Sequence, residues 1–115
     1  MKKNPLVFIE HILKSIELIE EYTRNNTKES FIKNQLLQDS IVRRLEIIGE
    51  AVKNIPSDIR NKNPDIPWTD IAATRDKIIH HYFGVDLNTI WYIIKKDLPE
   101  LKNQIKNIIK KEMKE

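Results

Sequence analysis

Apolar residues recur along this chain at intervals of three and four for nearly its whole length, which is the period of a helix with one buried face and not the alternation of a strand. Phe8, Ile9, Ile12, Ile16 and Ile19 make the first stripe. Asn4 before Pro5 reads as an N-cap followed by proline at the first helical position, where a missing N–H costs nothing, so a helix is predicted from there to about Tyr22. Arg24 to Thr27 is the predicted turn. Asn26, with Glu29 three residues on, suggests a capping-box start for the next helix. The longest stripe follows in Leu37, Ile41, Leu45, Ile48, Val52 and Ile55, a seam suited to packing along another helix, with a kink or break expected near Asn34. Gly49 is the oddity within that predicted helix. Glycine inside a helix costs roughly 1 kcal/mol relative to alanine, and it marks a place where another group comes close. Pro56 to Pro67 is a proline-punctuated connection, with Ser57 able to cap a short helical turn, and it leads into a helix starting at Pro67 or Trp68. Asp86 is the predicted cap of the next, striped by Leu87, Ile90, Trp91 and Ile94. Pro99 would clash with the carbonyl four residues before it in a straight helix, so Asp97 and Glu100 are expected to cap a kinked restart there. A last stripe of Leu101, Ile105, Ile108 and Ile109 frays into Lys110 to Glu115.

The class predicted is therefore all-α, an up-and-down bundle of about four main helices in one domain spanning residues 1–115. With 40% hydrophobic residues the chain can build a core, yet it is small enough for a dimer interface to add usefully to stability. The absence of cysteine removes any disulfide framework or thiolate metal site and fits a reducing cytoplasm. Lys2 and Lys3 before Leu6 to Ile9 resemble the start of a signal sequence, but Glu10 and His11 end the apolar run too early, and no run is long enough to cross a membrane. The net charge of +3 is unevenly placed. From Lys95 onward seven lysines face four acidic residues, which accounts for all of it. That basic end could attract RNA phosphates, although most of its lysines suit an ordinary solvated face.

The chemistry concentrates in Arg75 to Tyr82. At about 100° per residue, Trp68, Ile71, Ala72, Arg75, Ile78, Ile79 and Tyr82 share one broad face, so Arg75 sits within an apolar stripe. An always-charged guanidinium there needs carboxylates, carbonyls, water or a phosphate for its five donors. Glu46 and Glu50 lie off the seam of the preceding long helix and are either solvated or the partner Arg75 requires. His80 lies about 140° round from Arg75, so the two converge only at a helix end, in a cleft or across a subunit interface. Asp76, at i−4 from His80, is placed to orient or charge the imidazole. Gly84 reads as the helix stop, which puts both histidines and Tyr82 in the last turn. His80 and His81 point about 100° apart, which disfavours joint metal ligation. On spacing alone the octet also suits a core helix with a salt-bridged arginine and surface histidines.

Arg75-x4-His80-x-Tyr82 resembles the motif of the HepT-like group of HEPN domains, the toxin half of two-gene modules whose other half is a minimal nucleotidyltransferase. The likeness extends over nearly the whole chain. It includes Arg43-x-Leu45, Ile48-Gly49-Glu50-Ala51, Ile66-Pro67-Trp68, Val85-Asp86, Trp91 and Leu98-Pro99-x-Leu101. Arg75-x4-His80 alone is a weak signal, whereas the ordered set is a strong one.

The resemblance implies a HEPN-type bundle that forms a homodimer, with two Arg-His motifs facing a shared cleft. It implies a metal-independent endoribonuclease without a cofactor, in which Arg75 and His80 are catalytic and Asp76 is a supporting residue. The substrate's own 2′-hydroxyl would be the nucleophile, the imidazole would move protons and the guanidinium would hold phosphate charge. Tyr82 matches the tyrosine on which the nucleotidyltransferase partner places AMP, silencing the toxin. Two other readings stand beside this one: a non-catalytic HEPN module that binds a nucleotide or partner and supports a nucleotidyltransferase, and a structural all-α dimer with no ligand.

Overall fold

The computed structural model describes residues 4, 6–80 and 86–113, excluding the side chains of Ile79 and His80. It has four main helices, α1 (Leu6–Thr23), α3 (Gln35–Lys53), α5 (Trp68–His80) and α7 (Leu98–Met113). Three short helices connect them, α2 (Lys28–Ile32), α4 (Ser57–Lys62) and α6 (Leu87–Tyr92), and a π turn at Ile93–Asp97 joins α6 to α7. The all-α class expected from the periodicity is the observed one. No helix among the described residues is long and apolar enough to cross a membrane.

The central element is α3, packed against both α1 and α5, while α1 also meets α7. The seam read from the sequence is thus filled by two helices of the same chain. Its residues Leu37, Ile41, Leu45, Ile48 and Val52 are buried, as are Ile9, Ile12, Ile16 and Ile19 of α1 and Leu101, Ile105 and Ile108 of α7. Burying each isoleucine contributes about 1.5–3 kcal/mol, offsetting the chain entropy lost on ordering. Phe31 of α2 is fully buried and stacks on Trp91 of α6 at 5.3 Å between ring centroids. That contact joins the two small helices to each other, and α2 in turn packs on α3.

Helix starts were partly legible. The Asn4 side chain accepts from Leu6 N–H at 3.0 Å, as its cap role requires. The break at Asn34 is real, and Asn34 caps α3 by accepting from Leu37 N–H at 3.0 Å. The cap of α2, however, is Thr27 and not Asn26. Thr27 and Ser30 exchange side-chain and backbone bonds of 2.9 and 3.1 Å, because Thr27 has the extended backbone a cap needs, whereas Asn26 lies within the preceding turn just after Asn25 at φ 69°. Ser57 is likewise the first helical residue after the cap position at Pro56, not the cap itself. At Pro99 no fresh cap forms. The π turn lets Leu98 N–H reach back to Ile93 O, so the chain accommodates the proline by widening one turn and not by restarting.

Candidate active site

Two contacts set the position of α5. At its start the buried Trp68 indole N–H donates to Asn63 O at 3.1 Å, and the buried Asn63 amide donates to Ile59 O at 2.9 Å, tying α4 to α5. In its middle Arg75 lies directly over Gly49 of α3: a Cβ built on Gly49 would overlap the Arg75 Cβ and stand 2.6 Å from its Cγ. The glycine that looked anomalous within α3 is thus the seat of the arginine.

Its guanidinium is held at both terminal nitrogens. Arg75 Nη2 pairs with Glu50 Oε2 at 2.8 Å, and Nη1 with Asp76 Oδ1 at 3.1 Å. Asp76 in turn accepts from Lys53 Nζ at 2.7 Å. Hydrogen bonds from Lys53 and then from Arg75 hold the Asp76 carboxyl below its ordinary pKa, against a smaller opposing effect of burial. Arg75 Nε is buried without a hydrogen-bond partner. The Arg75 side chain is 23% exposed, against 56% for Glu50. The guanidinium is therefore oriented by two carboxylates while its one buried donor, the Nε–H, is left without a partner.

The two flanks of α5 differ in character. Toward α1, Arg75 and Glu50 border an open cleft of about 280 Å³, walled by Phe8 and His11 of α1 and by Arg43 and Glu46 of α3. Toward α7 lies a groove of about 370 Å³ with Leu45, Ile71, Ile93 and Leu101 on its apolar surface and Asp70, Asp97 and Glu100 among its polar residues. Burial, followed by the nearby Glu100 charge, pushes the Asp97 carboxyl above its ordinary pKa. Of these two flanks, the α1 side is the one with cations among its described lining residues.

Of the residues singled out in the sequence, Arg75 and Asp76 meet in one ion-pair network, and Glu50 supplies the carboxylate that Arg75 demanded. His80 is the last described residue of α5, and its side chain lies outside the described set. Tyr82, together with His81 and Gly84, also lies outside the described residues. Nothing in the spacing of the chain joins His11 or Arg43 to Arg75. Only the packing of both α1 and α5 against α3 does so.

Comparison with known proteins decides the lineage. Residues 12–108 match the family described as Ribonuclease HepT-like. The chain belongs to the HepT-like ribonuclease family. Among curated HepT-like relatives, a Thermococcus cleftensis protein named "Probable ribonuclease HepT" is 46% identical over 96% of this chain and 100% of its own length. A Caldanaerobacter subterraneus subsp. tengcongensis protein named "Putative RNase" is 47% identical over 96% of this chain and 98% of its own length. A Methanocaldococcus jannaschii protein named "Gamma-glutamylcyclotransferase and putative RNase" is 50% identical over 95% of this chain, which spans only 49% of that relative. No solved structure matches the chain significantly. Membership of the HepT-like family supports an RNase-type function and agrees with the all-α fold.

Proposed function

We propose that the protein is the toxin of a HepT-type module, a metal-independent endoribonuclease whose Arg75 and His80 act together in a cleft shared by two copies. The observation that carries this reading is the state of Arg75, a half-buried guanidinium aimed by Glu50 and Asp76 at the edge of an open cleft, on the same helix as His80. A phosphate oxygen is the acceptor such a donor fits best.

In the reaction, the 2′-oxygen of the substrate attacks the adjacent phosphorus and the bond to the 5′-oxygen breaks, leaving a 2′,3′-cyclic phosphate. One imidazole takes the proton of the 2′-hydroxyl, and an imidazole delivers one to the departing 5′-oxygen. Such proton transfer contributes typically about 10²- to 10⁴-fold. Arg75 holds the charge that builds on the non-bridging oxygens. Asp76, committed to Lys53 and Arg75, serves the arginine by fixing its plane.

Control falls to Tyr82, two residues beyond His80. A nucleotidyltransferase partner transfers AMP from ATP to its hydroxyl, the phenolic oxygen bonding to the α-phosphorus as pyrophosphate leaves and the phenolic proton passes to solvent, and the adduct blocks the cleft and gives Arg75 a phosphate to bind. Expression with and without that partner tests both statements. The toxin alone should arrest growth and degrade RNA, Arg75→Ala and His80→Ala should not, and Tyr82→Phe should remain toxic beside the partner. AMP should be found on Tyr82 by mass spectrometry. A Tyr82→Phe variant still neutralised as well as wild type, with no adduct on Tyr82 in the latter, would assign silencing to docking alone.

A further inference from the structure

The cleft on the α1 side of Arg75 contains more than the proposed cleavage chemistry uses. We propose that it is a subsite for the nucleotide adjoining the scissile phosphate, with Arg43 on a neighbouring phosphate and the Phe8–His11 pair against the base. This assignment rests on the ribonuclease reading above.

Four observations carry it. The cleft is continuous with Arg75, which forms part of its wall, and its volume of about 280 Å³ suits a single nucleotide better than a duplex. Arg43 projects into it from α3 with its side chain 69% exposed, and its ion pair with Glu46 is 3.6 Å long. That is well beyond the range of about 2.7–2.9 Å for a charge-assisted hydrogen bond, so Arg43 is loosely held and can turn to an incoming phosphate. Phe8 and the exposed His11 stand edge to face at 6.4 Å between centroids, one turn apart on α1. Aromatic side chains of this kind are what an unpaired base stacks on. Finally, Asn54 spends its amide N–H on Glu50 O at 2.9 Å, which fixes the amide's orientation and leaves its oxygen to accept from a base amino group.

The charges of Glu46 and Glu50 offset those of Arg43 and Arg75 in the free protein. A phosphate at Arg43 therefore competes with Glu46 for the guanidinium. The subsite accordingly predicts that removing the Glu46 charge tightens binding, the opposite of what a structural ion pair would give.

The test uses a fluorescently labelled, single-stranded 2′-O-methyl oligoribonucleotide, which cannot be cleaved because the attacking hydroxyl is blocked. Its affinity is followed by anisotropy over a range of salt, at a pH where imidazole is neutral. Arg43→Ala should weaken binding and flatten the plot of log affinity against log salt by about 0.7, the share of one single-strand phosphate contact. His11→Ala should weaken binding about fivefold or more with the slope unchanged, as loss of a stacking face does. Glu46→Gln should bind more tightly than wild type, and Arg43→Lys should keep the wild-type slope. Arg43 and His11 are exposed, so these changes leave the core intact. Wild-type affinity and slope in both alanine variants, or no binding by the wild type, would overturn the subsite. Binding that follows the predicted pattern in a protein that cleaves no RNA would leave the subsite standing and remove the ribonuclease reading.

Discussion

Replacing Gly49 by alanine is the sharpest perturbation of the site that touches none of its polar groups. The new Cβ would overlap the Arg75 Cβ and stand 2.6 Å from Cγ and 3.4 Å from Cα. Carbon atoms rest at about 3.5–4.0 Å. The contact therefore falls short by about 1 Å, and it is made to the root of the arginine, where no rotamer can relieve it. The backbone of α5 has to move away from α3. Overpacking of this kind costs typically about 1–3 kcal/mol, while alanine regains roughly 1 kcal/mol of helix propensity. The net loss is then about 0–2 kcal/mol, or up to about 8 °C in Tm for a domain of this size. Activity should suffer far more, because a shift of about 1 Å takes Arg75 off Glu50 and out of register with the phosphate, which can cost about 10²-fold. Calorimetry paired with single-turnover cleavage of a labelled RNA reads both quantities. A Gly49→Ala protein that is more stable than wild type and equally active would refute the seating of α5 on this glycine.

Ile48→Ala, which empties a fully packed position on α3, should destabilise by about 2–5 kcal/mol in urea unfolding. Asp97→Asn should stabilise the protein near neutral pH. A carboxyl whose folded pKa is raised favours the protonated state in the fold, so the advantage of asparagine should vanish as pH falls below the ordinary carboxylate value. Asp76 runs the other way. Its lowered pKa contributes stability that is present above the ordinary carboxylate value and lost as pH falls through the lowered one, so Asp76→Asn should flatten the acid limb of a Tm-versus-pH curve.

Most of the helical frame was legible because helix periodicity is a local property: the stripes of α1, α3 and α7 name their own buried faces. Caps were less so. Asn26 and Thr27 carry the same kind of signal one residue apart, and only the backbone turn at Asn25 selects between them. At Pro99 the sequence announces a disturbance but does not say whether a helix absorbs it by restarting or by widening, since both relieve the clash between the proline ring and the carbonyl four residues back. Within the site, the arginine in an apolar stripe and the glycine within α3 each signalled an unmet requirement, and the structure resolves both at one contact, with Glu50 beside it. His11 and Arg43 gave no such signal. Their place in the cleft follows from the order in which α1, α3 and α5 pack, which is a tertiary fact without a local pattern.

The central claim is that Arg75 and His80 cleave RNA through its own 2′-hydroxyl, and the chemistry of the product ends tests it most directly. Purified wild-type protein, free of AMP on Tyr82, is incubated with a single-stranded RNA in the presence of a chelator and the fragments are resolved by mass spectrometry. The fragments should carry 2′,3′-cyclic phosphate ends facing 5′-hydroxyl ends. Both should be lost in Arg75→Ala and His80→Ala proteins that remain folded, since the half-exposed pair of Arg75 with Glu50 is worth only about 0–1 kcal/mol. Fragments with 5′-phosphate ends, cleavage abolished by the chelator, or undiminished cleavage in both variants would contradict it.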